Sequence, residues 1–140
     1  MATVVLLAWI IQGAVGLTLV IDWLRHAGGR GARTIVWHVG LSLSGLVFWV
    51  WFLVTGAVAP AWIAFAIITA GNTLGDIMLL GRAHRIAPGT TTIWQRYGVA
   101  ISAIFRGRLP ARVSFHTLFS GVVYFTCLGV CIGATAAALA

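Results

Sequence analysis

The sequence predicts an all-α integral membrane protein: an up-down bundle of four transmembrane helices, with an amphipathic interfacial helix between the third and fourth. Composition, the apolar runs and the placement of charge carry this. The 140 residues are 61% hydrophobic and only 8% charged, against roughly 25% charged in soluble domains. Mean hydropathy is +1.03. Four apolar runs reach the about 20 residues that cross a bilayer as a helix. The nine basic residues are all arginine, and every one lies in the first or third connection between those runs.

The first run covers residues 3–24. It lacks a basic leader and an A-x-A cleavage site, so it is read as a retained helix and not a signal peptide. The connection "RHAGGRGAR" follows, with Arg25, Arg30 and Arg33. The second run covers 35–57 and the third 61–80, joined through the uncharged "TGAVAPA". The third connection, Arg82 to Arg112, holds the other six arginines, and the fourth run covers 113–139. Connections one and three share a side of the membrane, so all the arginines do too. The positive-inside rule makes that side cytoplasmic in a bacterial inner membrane, with both termini outside. Absent lysine and abundant Ala, Val and Gly fit a GC-rich bacterial genome. The net charge of +7 then reports topology and not a nucleic-acid partner.

Within the third connection, Ile93, Trp94, Tyr97, Ile101, Ile104 and Phe105 recur at helical spacing. Threonine supplies an N-cap. Residues 92–106 are therefore expected to form an interfacial helix.

Each span also carries a polar stripe at helical spacing: Gln12, Gly16 and Asp22; His38, Ser42 and Gly45; Thr69, Asn72 and Asp76; His116, Ser120, Cys127 and Cys131. Lipid tolerates few polar side chains, so these stripes are expected to face one another. Cys127 and Cys131 are read as small packing residues. Trp49, Trp51 and Trp62 at one end, with Trp23 and Trp37 at the other, are read as the aromatic belt. Asp22 is expected to pair with Arg25 and Asp76 with a rim arginine.

Two spans open on related phrases, "ARTIVWHVGLSLSG" from Ala32 and "ARVSFHTLFSG" from Ala111. His38 lies five residues after Arg33 and His116 four after Arg112. At 1.5 Å per residue both histidines sit about 6–8 Å inside the basic boundary. The chain reads as two hairpins, each with an aspartate followed by a histidine. Imidazole is a common axial ligand of haem iron, and bundle cores are where such sites are built. His38 and His116 are thus candidate ligands of a b-type haem. Gly40, Ser42, Gly45, Ser120 and Gly121 would make room for the ring, Trp37 and Phe115 would flank it, and Arg33 and Arg112 would meet its propionates. Asp76 or a serine would take a histidine's second N–H.

The same residues allow other readings. His38, His116 and Asp76 are a candidate metal-ion set. Asp76 with the histidines is a candidate proton relay, as in a small proton-coupled carrier. The plain alternative is a non-catalytic accessory or assembly subunit, whose polar residues pack helices against each other, a second copy or other membrane subunits. His26 and His84, in basic loops, are read as solvated. No nucleophile–base arrangement, phosphate loop or dinucleotide fingerprint is present. In size and histidine placement the chain resembles the haem-carrying membrane anchors of respiratory complexes, which implies electron transfer, with quinone as a possible partner. It is less similar to small multidrug transporters, whose first span needs a deep carboxylate where this chain has Gln12.

Overall fold

The computed structural model describes all residues, Met1–Ala140. It contains five helices and no strand: α1 (Ala2–His26), α2 (Ala32–Thr55), α3 (Val58–Ile86), α4 (Ile93–Phe105) and α5 (Ala111–Leu139). Helices α1, α2, α3 and α5 are long and apolar enough to cross a membrane. They overrun the sequence-predicted spans at the arginine-bearing end, where α3 continues to Ile86. Hydropathy marks the lipid-embedded stretch, whereas backbone hydrogen bonding carries each helix beyond it.

The packing is that of a membrane protein. Only 20 of 140 residues are buried, while Val36, Val47 and Val54 are 66–79% exposed on the outside. Lipid is as apolar as valine, so nothing drives these side chains inward. The four long helices form a ring in which α1 packs on α2, α2 on α3, α3 on α5 and α5 back on α1. Helices α2 and α5 therefore stand on one diagonal, α1 and α3 on the other. The α2–α3 pair is the most intimate. Gly56 makes its short connection, taking φ +69° to end α2 while its N–H donates to Phe52 O at 2.8 Å.

Two apolar cores lie at opposite ends of the bundle. The one at the terminal end joins all four long helices through Val5, Trp9, Trp49, Phe52, Ala61, Ala64, Ile68, Val123, Cys127 and Cys131. Trp49 is fully buried there, donating to Ala2 O at 3.1 Å. It is thus a core residue and not a belt residue, because it points along the bundle interior where Trp9 and Phe52 meet it. Trp51, Trp62 and Trp37 do lie on the exterior, 38–60% exposed. Cys127 and Cys131 pack as expected, with the Cys131 thiol 3.4 Å from Ala61 O.

The other core, Leu79, Ala83, Ala100, Ala103, Leu109 and Val113, seats α4 against the arginine-bearing ends of α3 and α5. Thr92 caps α4: its hydroxyl accepts from Gln95 N, and Gln95 Oε1 accepts from Thr92 N at 3.2 Å. This capping box satisfies amides that the helix start would leave unpaired. The opposite face of α4 leaves Trp94, Ile101 and Phe105 uncovered, 52–80% exposed. Helix α4 is amphipathic as predicted.

Candidate functional site

Between the two apolar cores lies a layer of polar side chains and glycines. His38 on α2 and His116 on α5 meet across the bundle diagonal, with ring centroids 6.2 Å apart and planes at 68°. Both are partly buried. Matched depth follows from their similar distance behind Arg33 and Arg112. The meeting follows from the ring order, which places α2 opposite α5.

The flanking helices hold the two rings differently. His38 Nδ1 lies 2.8 Å from Gly71 O on α3. One turn on, a Cβ at Gly75 would lie 3.4 Å from His38 Cε1. On the other side, Gln12 on α1 donates from its amide nitrogen to His116 O at 2.7 Å. One turn on, a Cβ at Gly16 would lie 3.1 Å from His116 Cε1 and 3.7 Å from Nδ1. Both histidine rings thus fit against glycines on the neighbouring helix, where a methyl at Gly16 would crowd its ring and one at Gly75 would just touch. His116 Nδ1 and Gln12 Oε1 are buried without a hydrogen-bond partner.

Several expected supporting roles fall elsewhere. Ser42 donates to His38 O at 2.8 Å and Ser120 to Thr117 O at 2.7 Å, so both hydroxyls satisfy their own helix and neither supports an imidazole. Gly45 makes room for Trp9, whose Cζ2 would lie 2.9 Å from an added Cβ, and not for a cofactor. Gly40 and Gly121 have nothing near them. Trp37 and Phe115 point away from the histidines, 60% and 44% exposed, because each precedes its histidine by one residue, about 100° around the helix. Arg33 is exposed in the first turn of α2.

The charged residues are engaged across helices. Arg112 forms a 2.8 Å ion pair with Asp22 on α1, in place of the expected Asp22–Arg25 pair. Packing of α1 on α5 brings these two side chains together at the rim. Asp76 accepts a 2.9 Å hydrogen bond from the Tyr97 hydroxyl and pairs with no arginine. This ties α4 to α3. Burial, then the hydrogen bond to Asp76 and its charge, hold the Tyr97 phenol above its ordinary range. No three His, Cys, Asp or Glu side chains gather as a metal-binding group, so Asp76 does not join the histidines. Two cavities lie away from the pair. One of about 500 Å³ opens at the arginine-bearing end beside Gln95, Ser102 and Arg108, and one of about 520 Å³ between α1 and α5 near Met1 and Gly133.

Gly71 and Gly75 on α3 belong to the His38 site, although nothing in the sequence reading above ties them to it. The signal that links them is the i, i+4 spacing shared with Gln12-x-x-x-Gly16 on α1. Comparison with protein families, with curated proteins and with solved structures returned no match.

Proposed function

We propose that this multi-pass membrane protein is a small electron-transfer or anchor subunit that holds a b-type haem between His38 and His116. The observation that carries the reading is the imidazole pair across the diagonal. A metal–imidazole bond of about 2.0–2.1 Å, with about 1.1 Å from nitrogen to ring centre, separates two rings sharing one ion by about 6.2–6.4 Å. The pair stands at 6.2 Å.

The donor set also favours haem over a bare ion. Two histidines complete the coordination of an iron whose four in-plane ligands come from a porphyrin. Tetrahedral zinc would need two more protein or water ligands, and no carboxylate or thiol joins the pair. His38 and His116 would hold the haem, and Gly16 and Gly75 seat their rings. His38 Nδ1 lies within hydrogen-bond reach of the Gly71 carbonyl, the kind of outer partner that metal-ligating histidines usually have. The haem would supply reversible one-electron chemistry. The chain would fix its axial ligands and keep water from the metal with the apolar cores above and below.

In this reading the protein sits in a bacterial inner membrane, with the arginine-bearing connections in the cytoplasm and both termini outside. Quinone at the interface, or a larger respiratory-type assembly, is its electron partner. Absorption spectra of the purified protein, oxidised and then dithionite-reduced, test this. A Soret band that sharpens on reduction, with α and β bands, is expected from cells supplied with haem precursor. Loss of haem from both His38→Ala and His116→Ala completes the assignment. Protein that stays colourless overturns it.

A second reading, a non-catalytic accessory subunit, draws support from the hydroxyls of Ser42, Thr55, Thr73 and Ser120, all bonded within their own helices. That subunit would tolerate His38→Gln and His116→Gln with modest loss of stability. A proton-coupled carrier would depend on Asp76, and Asp76→Asn would abolish coupling.

A further inference from the structure

We infer that Gln12 is the positioning residue of His116: its amide oxygen is the acceptor for the His116 Nδ1–H, which leaves Nε2 as the nitrogen free to bind a ligand. The consequence for haem rests on the reading above, whereas the pairing itself does not.

Three observations lead here. First, Gln12 Oε1 and His116 Nδ1 are both buried and both unpartnered. Buried polar groups within a bilayer are ordinarily satisfied by partners in the protein itself. Second, the Gln12 side chain is already anchored at His116: its amide nitrogen donates to the main-chain carbonyl of His116 at 2.7 Å. The ring presents Cε1 to α1 at Gly16, one turn from Gln12, with Nδ1 3.7 Å and Nε2 4.0 Å from a Cβ placed there. Third, the His38 site supplies the template. There the ring packs on Gly75, and Gly71, four residues earlier, provides a carbonyl to Nδ1. On α1 the ring packs on Gly16, and the residue four earlier is Gln12. A side-chain carbonyl stands where the other site uses a main-chain one.

The role is one of orientation. A neutral imidazole carries a single N–H, and whichever nitrogen bears it cannot bind a metal. An acceptor at Nδ1 fixes the proton there and makes Nε2 the ligand. Such outer partners typically change metal affinity about 10–100-fold when removed.

The test uses histidine-labelled full-length protein in detergent, free of haem, with His116 assigned by comparison with His116→Gln. Nitrogen-15 NMR is expected to show His116 as the Nδ1–H tautomer. Gln12→Met, similar in size but without an acceptor, should shift it to Nε2–H or a mixture, and Gln12→Glu, which keeps an acceptor, should restore it. In the haem-loaded protein Gln12→Met should weaken haem binding by about 10–100-fold, with recovery in Gln12→Glu. A wild-type His116 in the Nε2–H tautomer overturns the inference without any variant being needed. So does a Gln12→Met protein with unchanged tautomer and haem affinity. Wild-type protein that never binds haem refutes the haem reading, and the tautomer then decides the pairing alone.

Discussion

The two histidine sites are built to one plan and finished differently. In the α2–α3 half, His38 is held by main chain alone: the carbonyl of Gly71 takes its Nδ1, and the bare backbone at Gly75 takes its edge. In the α5–α1 half, Gly16 repeats the role of Gly75 more tightly, and Gln12 stands at the position of Gly71, its amide nitrogen bonded to the His116 main chain. The main-chain site cannot be altered by point mutation without remaking the helix contact. The Gln12 site can. The lesson is that a duplicated phrase such as Ala-Arg…His conserves the depth of a residue, while the partner helix decides how that residue is held.

The largest effect expected is from the histidines themselves. If the two sites act on one iron, His38→Ala and His116→Ala should each abolish haem binding, with equal severity despite their different supports. A variant that loses only part of its haem would make one site dispensable and break the symmetry of the comparison. Haem content per protein checks this.

The glycine contacts should rank next. Gly16→Ala places a methyl 3.1 Å from His116 Cε1, and Gly75→Ala places one 3.4 Å from His38 Cε1. Overpacking costs about 1–3 kcal/mol, and Gly16→Ala should be the more damaging of the two. Gly40→Ala and Gly121→Ala, with nothing within 4 Å, should be neutral or slightly stabilising, since alanine favours a helix by about 1 kcal/mol over glycine. Thermal unfolding in micelles measures all four. Equal losses at Gly16 and Gly40 would mean that the histidine is not what fills the space.

Two smaller effects concern the rim. Tyr97 has its phenol pKa raised by burial and by Asp76. The folded state therefore holds this proton more tightly than the unfolded chain. The contribution is complete below the unfolded value, near pH 10, and is lost as pH rises through the higher folded value. Tyr97→Phe should remove that alkaline loss, as seen in unfolding followed at high pH. The Asp22–Arg112 pair is exposed, so a double-mutant cycle should return only about 0–1 kcal/mol. Neither change should alter the spectrum of a haem held deeper in the bundle.

Much of this architecture was legible in the chain. Spans follow from hydropathy, and the start of α4 follows from Thr92 and Gln95. Histidine depth follows from counting residues behind Arg33 and Arg112. What could not be read was azimuth. A helix segment that is apolar all round, as α2 is from Leu46 to Val54, does not announce which face meets a neighbour, so Trp49 reads as belt and lies in the core. The ring order is likewise invisible in sequence, and with it the pairing of Asp22 to Arg112 across α1 and α5. Helix periodicity placed Ser42 near His38, but not the hydroxyl's preference for the carbonyl one turn back, which lipid enforces on any lone hydroxyl. Gly16 and Gly75 were visible only as small residues, because a glycine's purpose is written in the side chain opposite it.

The most direct test of the central claim is the low-temperature electron paramagnetic resonance spectrum of the oxidised, haem-loaded protein. Two axial imidazoles make ferric iron low-spin. Ring planes 68° apart should give the strongly anisotropic low-spin signal of nearly perpendicular ligands, and either histidine-to-alanine variant should lose it. A high-spin signal, or a low-spin signal that survives His38→Ala, would contradict the account.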